Sequence, residues 1–164
     1  MANKNIIGID PGLSGAIALL DHNGKLLDVV DMPTRRLGVA GKKRQVDEGE
    51  LTKLLTEFNN IPRGCFAVLE QVNGNPIGGN KKGSVGAFNF GMGYGVIKGV
   101  LGAVGIEYTT TPPKAWKYKA RLIGRDKKAS IARALEYYPD APLTLVKHDG
   151  RAEAILIARF GGDW

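Results

Sequence analysis

The sequence predicts an α/β fold with mixed strand directions, and three observations carry that reading. Short apolar runs of strand length occur at 6–9, 16–20, 26–31 and 66–69. The first three are joined only by turn signals, which sets up an antiparallel meander. Later strands are separated by segments with apolar residues at helical spacing, the pattern of strands packed under helices. At 164 residues and 43% hydrophobic content, the chain reads as one domain able to bury a substantial core. It shows no repeat, low-complexity tract or domain boundary.

Ile6 to Asp10 is an apolar, β-branched run that reads as a buried strand, and Pro11-Gly12 ends it with a turn. Ala16–Leu20 is the second strand, His22-Asn23-Gly24 a hairpin turn, and Leu26–Asp31 the third strand. Thr34 to Gln45 is basic and lacks a period, so a mobile loop is expected there. Leu51, Leu54, Leu55 and Phe58 fall on one helical face, with Asp47 as N-cap and Glu50 three residues on. Phe66–Leu69 is the next strand, and the Gly- and Asn-rich stretch 73–83 reads as a flexible loop directly after Glu70. A glycine-rich helix follows at 83–105, then a strand at 106–110. Pro112-Pro113 opens a short helical turn through Trp116. Asp126 can cap a helix whose stripe is Ile131, Ala134, Leu135 and Tyr138, and the last helix runs from Asp149 to Phe160.

The net charge is +7, and one segment supplies all of it. Between Lys114 and Arg133 lie eight basic residues and one acid, whereas the rest of the chain has fifteen of each sign. A concentrated basic surface fits a polyanionic partner, or a solvated helix face. Cys65 is the single cysteine, which excludes an internal disulfide or a cysteine-based zinc site and suggests a reducing, cytoplasmic setting. It reads as a packed core thiol. The first strand begins within five residues of the N-terminus, which leaves no room for a signal peptide. Gly91, Gly95 and Gly99 recur at the spacing of membrane helix contacts, but Asn89 and Lys98 interrupt that stretch. A buried soluble helix is expected, its glycine face admitting another backbone.

Four carboxylates carry the chemistry. Asp10 and Glu70 each end an apolar strand, where an acid is disfavoured unless a cation meets it. Asp149 and Glu153 are four residues apart and share a helix face with Leu156, Ile157 and Phe160. Asp149 could serve only as an N-cap, but Glu153 has no capping role. If the four converge they suit two Mg2+ ions, which take oxygen ligands, activate water and stabilise the leaving oxygen of a phosphodiester. His148 could touch a phosphate or the attacking water, or be structural.

In order along the chain stand Ile7-Gly8-Ile9-Asp10-Pro11-Gly12, Leu69-Glu70-Gln71-Val72, the glycine-rich helix, Thr111-Pro112-Pro113-Lys114, the basic helix with Asp126-Lys127-Lys128, and Asp149 through Ala158. Together these resemble the RuvC family of Holliday-junction resolvases, within the RNase H-like nuclease superfamily. The resemblance implies an RNase H-like fold with a central five-stranded mixed sheet flanked by helices. It implies a homodimer that binds four-way or other branched DNA and makes Mg2+-dependent paired nicks, with Mn2+ as a substitute ion. Asp10, Glu70 and Glu153 match the family's acids. The family's third acid falls at Gly150 here, so Asp149 is the substitute ligand. Asn73 stands where bacterial members carry an aromatic, which implies a looser, structure-selective nuclease; the short basic chain resembles phage-encoded members. Lys81, Lys82, Lys114, Lys117, Lys127 and Lys128 become the phosphate-holding residues. The glycine face of 83–105 is the candidate dimer contact, or else packs on its own sheet. Two other classes compete: a non-catalytic branched DNA or RNA module, which leaves the inward acids unexplained, and an actin-like ATPase fragment, which lacks a second phosphate loop.

Overall fold

A computed structural model of the chain describes residues 3–38, 43–72 and 84–162, apart from the side chains of residues 84 and 127. Lys81, Lys82 and the 73–83 loop lie outside the described residues, as does the Lys127 side chain.

Five strands form the central sheet in the order β3-β2-β1-β6-β7. β1 (Asn5–Ile9), β2 (Ala16–Leu20) and β3 (Leu26–Asp31) are the antiparallel meander. β6 (Cys65–Glu70) lies parallel to β1, and β7 (Glu107–Thr111) lies parallel to β6. The sheet is therefore mixed, and β1 is hydrogen-bonded on both edges. That explains its continuous apolar run, since central strands covered on both faces have no polar side.

The period of two divides β1 between two cores. Ile7 and Ile9 face α1 (Glu48–Asn59) and α2 (Ser84–Val104), in a cluster with Leu51, Leu55, Ile97 and Leu101. Ile6 faces the other way, with Phe66 and Val68, toward α5 (Asp149–Phe160). α3 (Pro113–Lys119) and α4 (Lys127–Tyr137) complete that layer. Asp47 caps α1 by accepting from the Gly49 and Glu50 amides, and Asp126 caps α4 by accepting from Ala129. Cys65 is a buried core thiol whose Sγ contacts the Phe58 carbonyl at 3.1 Å.

Gly8 lets α5 come close to the sheet. A Cβ at Gly8 would stand 2.2 Å from the Ala154 carbonyl oxygen and 2.4 Å from the Ala158 nitrogen, both backbone atoms that cannot swing aside. Gly8→Ala should therefore push α5 off the sheet and cost about 2–3 kcal/mol, read as a lower urea midpoint.

Two expectations are corrected. The stretch Thr34 to Gln45, expected as a loop without regular structure, carries among its described residues a two-stranded ribbon, β4 (Thr34–Leu37) and β5 (Lys43–Val46). Its anchors are tertiary and invisible to periodicity: Val46 is buried in the α1–α2 core, and Arg44 Nη2 donates to the Leu13 carbonyl at 2.9 Å. Among the described residues of the same molecule, no backbone packs on the glycine face of α2. A Cβ at Gly91, Gly95 or Gly99 would meet none of them within 4 Å, and the helix docks instead through Ile97, Val100 and Leu101.

Candidate active site

The parallel register of β1 and β6 sets the first two acids side by side. Ile9 pairs with Leu69, so Asp10 and Glu70 occupy the next position on neighbouring strands, about 5 Å apart in backbone spacing. Both continue the face of Ile6, Gly8, Phe66 and Val68, which is the face covered by α5. Asp10 Oδ1 accepts from the Gly12 amide at 3.2 Å, so the Pro-Gly turn orients the carboxylate. A Cβ at Gly15 would stand 2.3 Å from the Asp10 carbonyl oxygen, so only glycine fits beside it.

α5 supplies the other two. Glu153 is within the electrostatic reach of both Asp10 and Glu70, and Asp149 of Asp10. Asp149 is the first residue of its helix rather than its cap; His148 precedes it and makes no side-chain cap bond to this helix. Gly150 is buried where a Cβ would meet the Ser14 carbonyl oxygen at 2.4 Å. That contact is the physical reason an acid cannot stand at 150.

Burial and mutual repulsion push both strand acids upward. Asp10 is raised to about 6, first by desolvation, then by Glu153 and Asp149, while the Gly12 amide and Lys117 oppose the rise. Glu70 is raised to about 7, again by desolvation first, then by Asp10 and Glu153, with Lys117 opposing. The cation among the acids is Lys117: its Nζ lies 3.1 Å from Glu153 Oε1 and over the Trp116 ring. Among the described residues, no three His, Cys, Asp or Glu side chains stand ready-grouped around a metal position. The acids are coupled by charge, and Lys117 partly neutralises them. The donor set itself is all carboxylate oxygen, which fits Mg2+ or Mn2+ and not a soft ion.

Several neighbours escaped the sequence reading. Ser130 is buried on α4, with its Oγ 3.4 Å from Glu153 Oε1. Its signal was a polar residue on the stripe of Ala134 and Tyr138, four and eight positions later. Trp116 is fully buried; its Nε1 has no partner at hydrogen-bond geometry, yet its N–H favours the charged form of Glu70. His148 is structural in this structure: it is buried, and its Nδ1 accepts from the Leu145 amide at 3.3 Å, closing the 3-10 turn Val146–His148. Lys114 and Lys128 are exposed.

No protein-family model matches the sequence, and no curated protein sequence matches it. Solved structures do. T. thermophilus RuvC in complex with Holliday junction substrate superposes with a TM-score of 0.63 at 16% identity, covering 95% of this chain and 90% of that one. The chain has the RuvC fold. A second Thermus thermophilus RuvC structure matches with a TM-score of 0.51 at 16% identity, covering 94% of this chain and 95% of that one. The five-stranded mixed sheet is thus the RuvC, RNase H-like one. Among the described residues, no helix is long and apolar enough to cross a membrane.

Proposed function

We propose that this chain is a metal-dependent endodeoxyribonuclease that resolves four-way or other branched DNA junctions by paired nicking, as a homodimer in the cytoplasm. The observation that carries this reading is the pair of half-buried strand-end acids, Asp10 and Glu70, side by side on neighbouring strands and both within the electrostatic reach of Glu153, which Lys117 contacts. Such a concentration of negative charge is unfavourable unless cations meet it. Asp10, Glu70, Asp149 and Glu153 would hold Mg2+ ions, which supply water activation and leaving-group stabilisation when bound. The chain's own residues do the rest. Gly12 fixes Asp10, Ser130 and Lys117 orient Glu153, and the basic segment carries the DNA. Lys117, released from Glu153, reaches a phosphate beside the acids.

The homodimer has support from α2. Val85, Phe88, Met92, Gly95, Gly99 and Gly102 alternate at three- and four-residue spacing, which is a helix-pairing seam. Val85 and Phe88 are about two-thirds exposed, and the three glycines face open space. Antiparallel pairing of two copies would set the bulky half of one helix against the glycine half of the other. Paired nicking requires that the acid clusters of both copies reach one junction.

The phosphate contacts are assigned to Lys81, Lys82, Lys114, Lys117, Lys127 and Lys128. A Lys127→Ala, Lys128→Ala variant should bind junctions more weakly by a factor independent of sequence. The slope of log affinity against log salt should flatten by about 2. Titration of a labelled junction in chelator at several salt concentrations measures this. An unchanged slope would move the DNA surface away from α4, with the basic ribbon of Lys43 and Arg44 next in line.

A further inference from the structure

Beyond the acids and lysines of the proposed centre, the connection between α3 and α4 presents an unusual surface. Tyr118 is 77% exposed and Ile123 is 51% exposed. Both line one open, shallow cavity of about 480 Å3 with Lys119, Arg121 and Arg125. No acid lines it. Among the described residues, the Arg121 and Arg125 guanidinium groups make no ion pair or hydrogen bond, so two full positive charges flank the apolar pair. Lys119 is engaged with the Gly162 carbonyl at 2.8 Å and is not counted on.

This surface is held firmly. Trp116 and Ala120 are fully buried, and Leu122 is buried in the same core. The Leu122 amide donates to the Lys117 carbonyl at 2.8 Å, and Arg133 Nε donates to the Ala120 carbonyl at 3.0 Å. Arg121 has a φ of 60°, a left-handed conformation that is unfavourable for a non-glycine residue. A loop pinned at both ends thus keeps Tyr118, Ile123 and two arginines on the outside. Lys117, the residue before Tyr118 on α3, reaches Glu153 at 3.1 Å, so the short helix that carries the platform also carries the cation of the acid cluster.

The partner follows from the chemistry. A DNA duplex hides its base faces and offers phosphates, which would leave the phenol ring and the Ile123 side chain unused. An unpaired strand offers both: a base face to stack on an aromatic ring, and flanking phosphates for arginines. An acidic peptide would meet the arginines but has no flat face for the ring. We propose that Tyr118, with Ile123, Arg121 and Arg125, is a docking platform for an unpaired base of a DNA strand. The choice of DNA rests on the proposed nuclease reading; the platform itself does not need cleavage.

The test is binding in chelator, with fluorescein-labelled single-stranded oligothymidylate and a duplex of matched length as probes. A single strand carrying 2-aminopurine reports stacking. Tyr118→Ser should weaken single-strand binding about tenfold and abolish the 2-aminopurine quenching, whereas Tyr118→Phe should keep both within twofold. Duplex affinity should change less than twofold in either variant. Tyr118 is exposed, so the unfolding midpoint should not move, which separates a lost platform from a lost fold. Wild-type single-strand affinity in Tyr118→Ser, or equal losses on single strand and duplex, would overturn the proposal. A chain that grips the single strand through Tyr118 yet never cuts a junction with Mg2+ refutes the nuclease reading and upholds the platform.

Discussion

Asp10→Asn and Glu70→Gln should each yield a protein that binds a four-way DNA junction as tightly as the parent and does not cut it. Both substitutions keep the shape of the side chain and remove its charge. Asp10 and Glu70 sit on neighbouring strands of a parallel pair, on the face covered by α5. Neither contributes positive charge to a DNA surface, so affinity has no reason to fall; removing negative charge would raise it slightly. Cutting is different. A metal ion held by fewer carboxylates forfeits several kcal/mol of transition-state stabilisation, about a thousandfold in rate. Gel assays of junction binding in chelator and of nicking with Mg2+ measure the two properties separately. Variants that still cut at the parent rate would remove Asp10 and Glu70 from the chemistry.

The second large effect is on stability. Asp10 is held at about 6 and Glu70 at about 7, each raised from its ordinary value. The folded protein therefore keeps protons that the unfolded chain has shed between about pH 4 and pH 7. The contribution of these two acids to stability falls as pH rises through that window, and the penalty is complete above the folded values. Each acid contributes at most about 3 kcal/mol. In chelator, the thermal midpoint should be higher at pH 5 than at pH 8. Glu70→Gln should be more stable than the parent at pH 8 and lose most of that advantage at pH 5. Mg2+ should raise the parent's midpoint at pH 8, where the carboxylates are charged, and do less for Glu70→Gln. Differential scanning fluorimetry across that pH range reads all three. A Glu70→Gln midpoint that tracks the parent's at every pH would show that the charge at 70 costs the fold nothing.

Much of this arrangement could be read from the chain, and the reasons differ by element. The meander was legible because β1, β2 and β3 are short apolar runs separated by turn residues. α5 was legible to its ends because Asp149 through Phe160 has an uninterrupted helical stripe. The placement of Asp10 and Glu70 on one face follows from the period of two, once the parallel pairing of β1 and β6 is known. That pairing is long-range and leaves no local trace. The β4–β5 ribbon was missed for the same reason: its stability comes from Val46 in a distant core and from Arg44 on Leu13. Which way the glycines of α2 face was not legible, because a glycine stripe looks the same whether it packs on its own sheet or turns outward. Lys117 stood in the sequence as one basic residue among eight; only the folded chain puts its ammonium against Glu153. Gly150 likewise read as a missing acid, and the fold shows it as a close packing point against Ser14.

One assay bears most directly on the claim that the strand-end and helix acids form a metal-dependent cutting centre. The parent protein is mixed with a synthetic four-way junction, a linear duplex and a flap, each with Mg2+ or with chelator, and the products are mapped on both strands. The account predicts junction binding in both conditions and paired, symmetric nicks in the junction only with Mg2+. Cutting that persists in chelator, or an intact junction after the folded, bound protein has been given Mg2+ and Mn2+ in turn, would contradict it.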